Sequence, residues 1–171
     1  MLNGLLTGDE LSKAARMLKL KDTAQYCVVS FHTISSNSED YYTKEELEEI
    51  GVIEGEIQRL LPDEHIYRNL NQIVCIHEIK PGETQAGFRE EMEKLYQTVQ
   101  KQIFHRNKTT DFQIGIGSIV NGYGDLKKSF KDSKKIIDYM DMLRYLYGDK
   151  NISVADFSKL GFSRFLKNQK S

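Results

Sequence analysis

The chain has 171 residues, of which 39% are apolar and 29% charged, with a formal net charge of −1; this is the profile of a soluble domain long enough to bury one sizeable core. The near-neutral balance argues against a nucleic-acid or membrane surface, and no apolar run reaches the roughly 20 residues needed to cross a bilayer. The opening "MLNGLLTGDE" has neither a basic start nor a small-residue cleavage site, so a cytoplasmic protein is expected.

The elements follow in order. Leu11, Ala14, Ala15 and Leu18 recur at helical spacing behind Thr7 and Glu10, which are placed as a capping box, so a helix over about residues 1–20 precedes the first strand. "YCVVSFHTI" (26–34) is dense in β-branched and aromatic residues without a breaker and reads as a buried strand. A polar loop leads to a second capping box, Thr43 and Glu46, then Leu47, Ile50, Ile57 and Leu61 on one helical face until Pro62. Residues 65–79 hold two strand-like runs about "NLN", read as a β-hairpin because Asn tolerates tight turns. Beyond Pro81 and Gly82, an apolar stripe of Phe88, Met92, Leu95, Tyr96, Val99 and Ile103 marks the clearest helix. "FQIGIGSI" is a strand, and Leu126, Phe130, Ile137 and Met140 lie on one side of a helix starting near Gly124. The tail "NISVADFSKLGFSRFL" reads as a short strand and a last short helix.

Cys27 and Cys75 each sit in an apolar strand-like run and read as reduced core thiols. The predicted order is therefore α+β: a βαββαβ, ferredoxin-like core over about residues 25–142, in which two helices cover one face of a mainly antiparallel sheet. An extra N-terminal helix precedes it and an extension of about residues 143–171 follows, all within one domain.

Four glycines between 115 and 124 raise the question of a phosphate cradle. A dinucleotide fingerprint would need glycine three positions after Gly117, where Val120 stands, and no GKS or GKT follows. Phe112, Ile114 and Ile116 alternate instead with Gln113, Gly115 and Gly117, so one face of this strand is apolar and the other nearly bare. A bare face must be filled by the same chain, a partner subunit or a ligand. Lys127, Lys128, Lys131, Lys134 and Lys135 interleave with Asp125, Asp132 and Asp138, the pattern of a solvated helix face.

"IGIGSIVNGYGDLKKSFKDSKKII" resembles the segment "GIG…, short loop, L, S-[YF]-x-[ED]-A" of the GGDEF-like domains in bacterial transcriptional regulators of the purine-catabolism and sugar-diacid (PucR/CdaR) type. "LLTGDELSKAARMLKL" and "ISVADFSKLGFSRFL" resemble the helix that opens such domains and the segment that ends them, so the likeness spans nearly the whole chain. Ser133 stands where the family usually has Ala, and a related domain occurs in some AraC-type response regulators. The resemblance implies a degenerate nucleotide-cyclase-like fold, which agrees with the βαββαβ order.

Fold does not confer activity. Cyclases of this fold hold two divalent cations through carboxylates on the first strand and in the signature hairpin. Here the first strand offers Ser30 and His32, and the hairpin offers Asn71 and Gln72, so no cyclase activity, catalytic residue, metal site or cofactor is expected. His32, His65, His77 and His105 are dispersed without ligand spacing. The resemblance implies a non-catalytic regulatory domain, signal-transmitting or dimerising, whose helix-turn-helix lies outside this chain, so that DNA is bound only through that absent domain. The alternative is a small-molecule or nucleotide receptor, its groove between the first strand and the hairpin lined by Ser30, His32, Asn69, Asn71 and Gln72. A homodimer would use exposed apolar residues of the leading helix (Leu5, Leu6, Leu11, Leu18) or of the tail (Phe162, Phe165).

Overall fold

The computed structural model describes residues 8–34, 43–69, 72–105, 111–148 and 152–158. Helix α1 (Gly8–Met17) leads into β1 (Gln25–Ile34), then α2 (Lys44–Leu60), β2 (His65–Asn69), β3 (Gln72–Glu78), α3 (Gln85–His105), β4 (Asp111–Ile116), β5 (Val120–Asn121), α4 (Leu126–Tyr147) and β6 (Val154–Ala155). The main path of the six-stranded sheet runs β2-β3-β1-β4-β6, with β5 pairing the start of β1. All pairings are antiparallel except β4 with β6. The expected α+β, βαββαβ core is therefore present, with β1 at its centre because it carries the longest run without a breaker.

Strand alternation divides the sheet into two faces. Cys27, Val29 and Phe31 of β1 join Ile73 and Cys75 of β3 and Phe112, Ile114 and Ile116 of β4 under α2 and α3, which contribute Ile50, Ile53 and Ile57, and Phe88, Met92, Leu95, Val99 and Ile103. This is the two-helix face expected of the core. Tyr26, Val28, Val74 and Ile76 point the other way, into a second cluster with Leu11 of α1 and Leu126 and Phe130 of α4. That face is covered as well, because the helix after β4 crosses back over the sheet.

The local signals act as the residues dictate. Thr43 caps α2 reciprocally with Glu46: the Glu46 amide donates to Thr43 Oγ1 at 3.1 Å and the Thr43 amide to Glu46 Oε2 at 3.3 Å. Helix α1 ends at Met17, a few residues before its predicted end, and is followed by Lys19 in a left-handed conformation (φ 58°); Thr7, of its predicted capping box, is outside the described residues. The β2–β3 pairing is the expected hairpin, in register from His65↔Ile76 to Asn69↔Gln72. Short β6 matches the strand predicted in the tail, while the helix predicted after it lies outside the described residues.

One expectation is corrected. Leu11, counted in an exposed apolar patch, is fully buried, because α1 packs on α4 and inserts Leu11 into the second cluster. Leu18 is 37% exposed, and Leu5, Leu6, Phe162 and Phe165 lie outside the described residues. Cys27 and Cys75 are free and buried on adjacent strands. Burial pushes both thiols well up, Cys75 with help from the Glu64 carboxylate, so both stay protonated core groups. Among the described residues, no helix is long and apolar enough to cross a membrane.

Candidate functional site

The glycines hold a helix. A Cβ on Gly115 would stand 2.5 Å from the Ser133 carbonyl oxygen and 2.8 Å from Ile137 Cγ1, and one on Gly117 would press still closer on the Ser129 carbonyl oxygen. The bare face of β4 is thus filled by the backbone of α4, one of the fillers the sequence left open, and no phosphate cradle forms there. Two serines of "SFKDS" complete the seam. Ser129 Oγ accepts from the Val28 amide at 2.8 Å, at the point where β4 leaves β1, and donates to the Ser118 carbonyl at 2.6 Å. Ser133 Oγ donates to the Phe130 carbonyl and shares a 2.7 Å hydrogen bond with Ser30 Oγ.

With α4 held this closely, a polar row on the sheet lies beside it. Register places His32 of β1 opposite Gln72 of β3 on one side and Gln113 of β4 on the other. All three share the face that α4 covers. Next to them is a recess of about 150 Å³ lined by Ser30, Phe31, His32 and Gln72 from the sheet and by Lys134, Ile137 and Asp138 from α4. Phe31 contributes through its backbone, since its ring is buried in the core of the opposite face.

Three of the five residues predicted to form a site, Ser30, His32 and Gln72, therefore meet. Asn69 ends β2 at the sheet edge, paired with Gln72, and Asn71 lies outside the described residues. The recess lies under α4, on the face of the β1–β3 pair from which the side chains of Ser30, His32 and Gln72 rise. Lys134, Ile137 and Asp138 went unrecognised as lining. Their lysine-aspartate alternation looked like solvent-facing helix, and it is so for Lys127, which pairs with Asp9 at 3.4 Å, and for Lys128, which pairs with Asp132 at 3.3 Å. The signal that could have found them is the spacing from Ser133 to Ile137, which keeps one face of α4 on Gly115.

Electrostatics at the recess are mixed. Burial lowers the pKa of His32, against the upward pull of Asp141 and Asp138 and together with Lys134, so the ring is held neutral near pH 7. Burial raises Asp141, partly opposed by His32. Gln113 is fully buried, and its side chain lies close enough to Asp141 to favour that carboxylate's charged form.

A second polar cluster lies on the opposite face. His77 on β3 is hydrogen-bonded through Nδ1 to Glu64 Oε1 at 2.6 Å and through Nε2 to Glu83 Oε1 at 2.9 Å, and it stacks on Phe88 with ring centroids 4.1 Å apart. Burial disfavours its charge, but the two carboxylates outweigh burial and raise its pKa. This lone histidine is a satisfied structural group: it ties the loop before β2 and the loop before α3 to the sheet.

The residues present do not fit a pair of divalent cations. Neither Ser30 nor His32 on β1, nor Gln72 on β3, supplies a carboxylate, and among the described residues no group of three or more His, Cys, Asp or Glu side chains could hold a metal ion.

Comparison with protein families finds that the model of a GGDEF-like domain matches residues 3–139, a span that takes in the whole βαββαβ core. Searches of curated proteins and of solved structures return no match. With most of its length under that one model, the chain belongs to the GGDEF-like domain family.

Proposed function

We propose that this is a non-catalytic regulatory domain of a bacterial transcriptional regulator, of the PucR/CdaR type, that transmits a signal or helps two copies associate. Its DNA-binding helix-turn-helix lies outside residues 1–171, and an AraC-type parent is the less favoured source. The observation that carries the reading is the chemistry at the centre of the sheet: where a cyclase of this fold needs carboxylates, the chain presents a hydroxyl, a neutral imidazole and an amide from Ser30, His32 and Gln72. Neutral groups do not offset the charge of two divalent cations and a triphosphate.

The test is the length of the natural product, from the reading frame beyond the Ser171 codon and the intact mass. A continuation carrying a helix-turn-helix supports the reading. A product ending at Ser171 removes it.

One observation favours a second reading, that of a small-molecule receptor: the recess beside His32 brings charged, polar and apolar groups of β1, β3 and α4 together. A ligand held there would raise the melting temperature by mass action.

A further inference from the structure

We propose that the recess between α4 and the β3–β1 pair binds a small zwitterion, an α-amino acid of about five to ten heavy atoms, its carboxylate on Lys134 and its ammonium on Asp138. This rests on the reading of the recess as a receptor site.

Size sets the first limit. The recess holds about 150 Å³, and a cavity of that volume takes a molecule about the size of benzene. The recess is open to solvent on one side, so a nucleotide would leave most of its surface outside it, whereas a small amino acid is held within its walls.

Charge sets the second. Lys134 and Asp138 are four residues apart on one face of α4, the spacing at which Lys128 and Asp132 on the same helix pair at 3.3 Å. Among the described residues, Lys134 and Asp138 form no such pair with each other. The Lys134 ammonium instead lies 5.3 Å from the centroid of the Phe130 ring, and both side chains flank the recess. A ligand carrying one charge of each sign answers both. A dicarboxylate would set its second carboxylate against Asp138, and a diamine its second ammonium against Lys134, so like-charge repulsion disfavours each.

The remaining walls suit the rest of such a molecule. Ile137 supplies an apolar surface for a short side chain, and the Gln72 amide and His32 imidazole supply neutral hydrogen-bonding groups on the floor. Because the Ser30 hydroxyl is engaged with Ser133, the inner end of the recess is rigid.

Binding is measured by titration calorimetry with the full chain and the proteinogenic amino acids at up to 10 mM, each compared with its N-acetyl and carboxamide forms. Parallel titrations use dicarboxylates, purines and nucleotides. At least one small amino acid is expected to bind, and blocking either end is expected to weaken it about tenfold or more, the scale of one charge-assisted contact. Lys134→Met should abolish discrimination against the carboxamide, and Asp138→Asn discrimination against the N-acetyl form. Melting curves of both variants check that they are folded.

Failure of every amino acid to bind, or binding indifferent to blocking both ends, overturns the proposal. If another class binds and Lys134→Met weakens it, the zwitterion falls and the receptor reading stands. If nothing binds, both fall.

Discussion

Replacing Gly117 by alanine places a methyl group in the backbone of α4. The neighbour it meets is the Ser129 carbonyl, with Ser129 Oγ 2.7 Å away, and a backbone carbonyl cannot swing aside as a side-chain end would. Neither Gly115 nor Gly117 has positive φ, so the cost is steric and not conformational. Helix α4 must lift, which stretches the Ser129 hydroxyl off the Val28 amide and strains the packing of Phe130 and Leu126. Overpacking costs about 1–3 kcal/mol, and loss of the bond to a buried amide adds about 1 kcal/mol or more, so about 3 kcal/mol is expected. For a chain of this length, that is a fall of about 6–12 °C in Tm. Gly115→Ala, 2.5 Å from the Ser133 carbonyl, should cost about 2 kcal/mol. Gly55, inside α2 with nothing within 4 Å of its Cβ direction, is the control: Gly55→Ala should stabilise by about 0.5–1 kcal/mol. Calorimetric melts of the three variants decide. A Gly117→Ala protein melting within a degree of wild type would refute the account of how β4 seats α4.

Other perturbations probe the rest of the frame. The His77 clamp raises that ring's folded pKa above its unfolded value of about 6.5. Its contribution is therefore fully present below about pH 6.5 and is lost as pH rises through the folded value. The Tm gap between wild type and His77→Gln should be wider at pH 6 than at pH 9, and parallel Tm–pH curves would contradict this. Ser133→Ala should cost about 1–2 kcal/mol by leaving the buried Ser30 hydroxyl without its partner, while the Ser30→Ala, Ser133→Ala double variant recovers part of that loss. Strict additivity in denaturant titrations would count against the pairing. Thr43→Ala should cost about 1 kcal/mol through the lost capping box of α2.

The order of elements was legible because each carried its own signal. The Thr43–Glu46 box, the stripe on α3 and the breaker-free run of β1 announce themselves locally, and the structure has all three. The alternation of Gly115 and Gly117 also showed that something packs closely there. What packs there is a fact of tertiary geometry: the chain passes from β4 through β5 and a turn with Gly122 at φ 76° before α4 begins, and only the path of α4 back across the sheet sets Ser129 and Ser133 on the glycines. The candidate site divides the same way. Ser30, His32 and Gln72 could be singled out because they are polar residues in apolar strands, and strand register then makes His32 and Gln72 direct neighbours. Lys134 and Asp138 resemble the solvent-facing pairs around them, and nothing local marks them as lining. The clamp on His77 was hidden for a similar reason, since Glu64 and Glu83 lie in the loops before and after the β2–β3 hairpin, well separated from each other in sequence.

The most direct test of the central claim, that this GGDEF-like domain regulates without catalysing, is turnover. Purified chain at high concentration is incubated with GTP or ATP and Mg²⁺ or Mn²⁺, and products are resolved by ion-exchange chromatography. The account predicts that both nucleotides are recovered unchanged, as in buffer alone. Cyclic mono- or dinucleotide that accumulates in proportion to protein and disappears in a His32→Ala variant would contradict it.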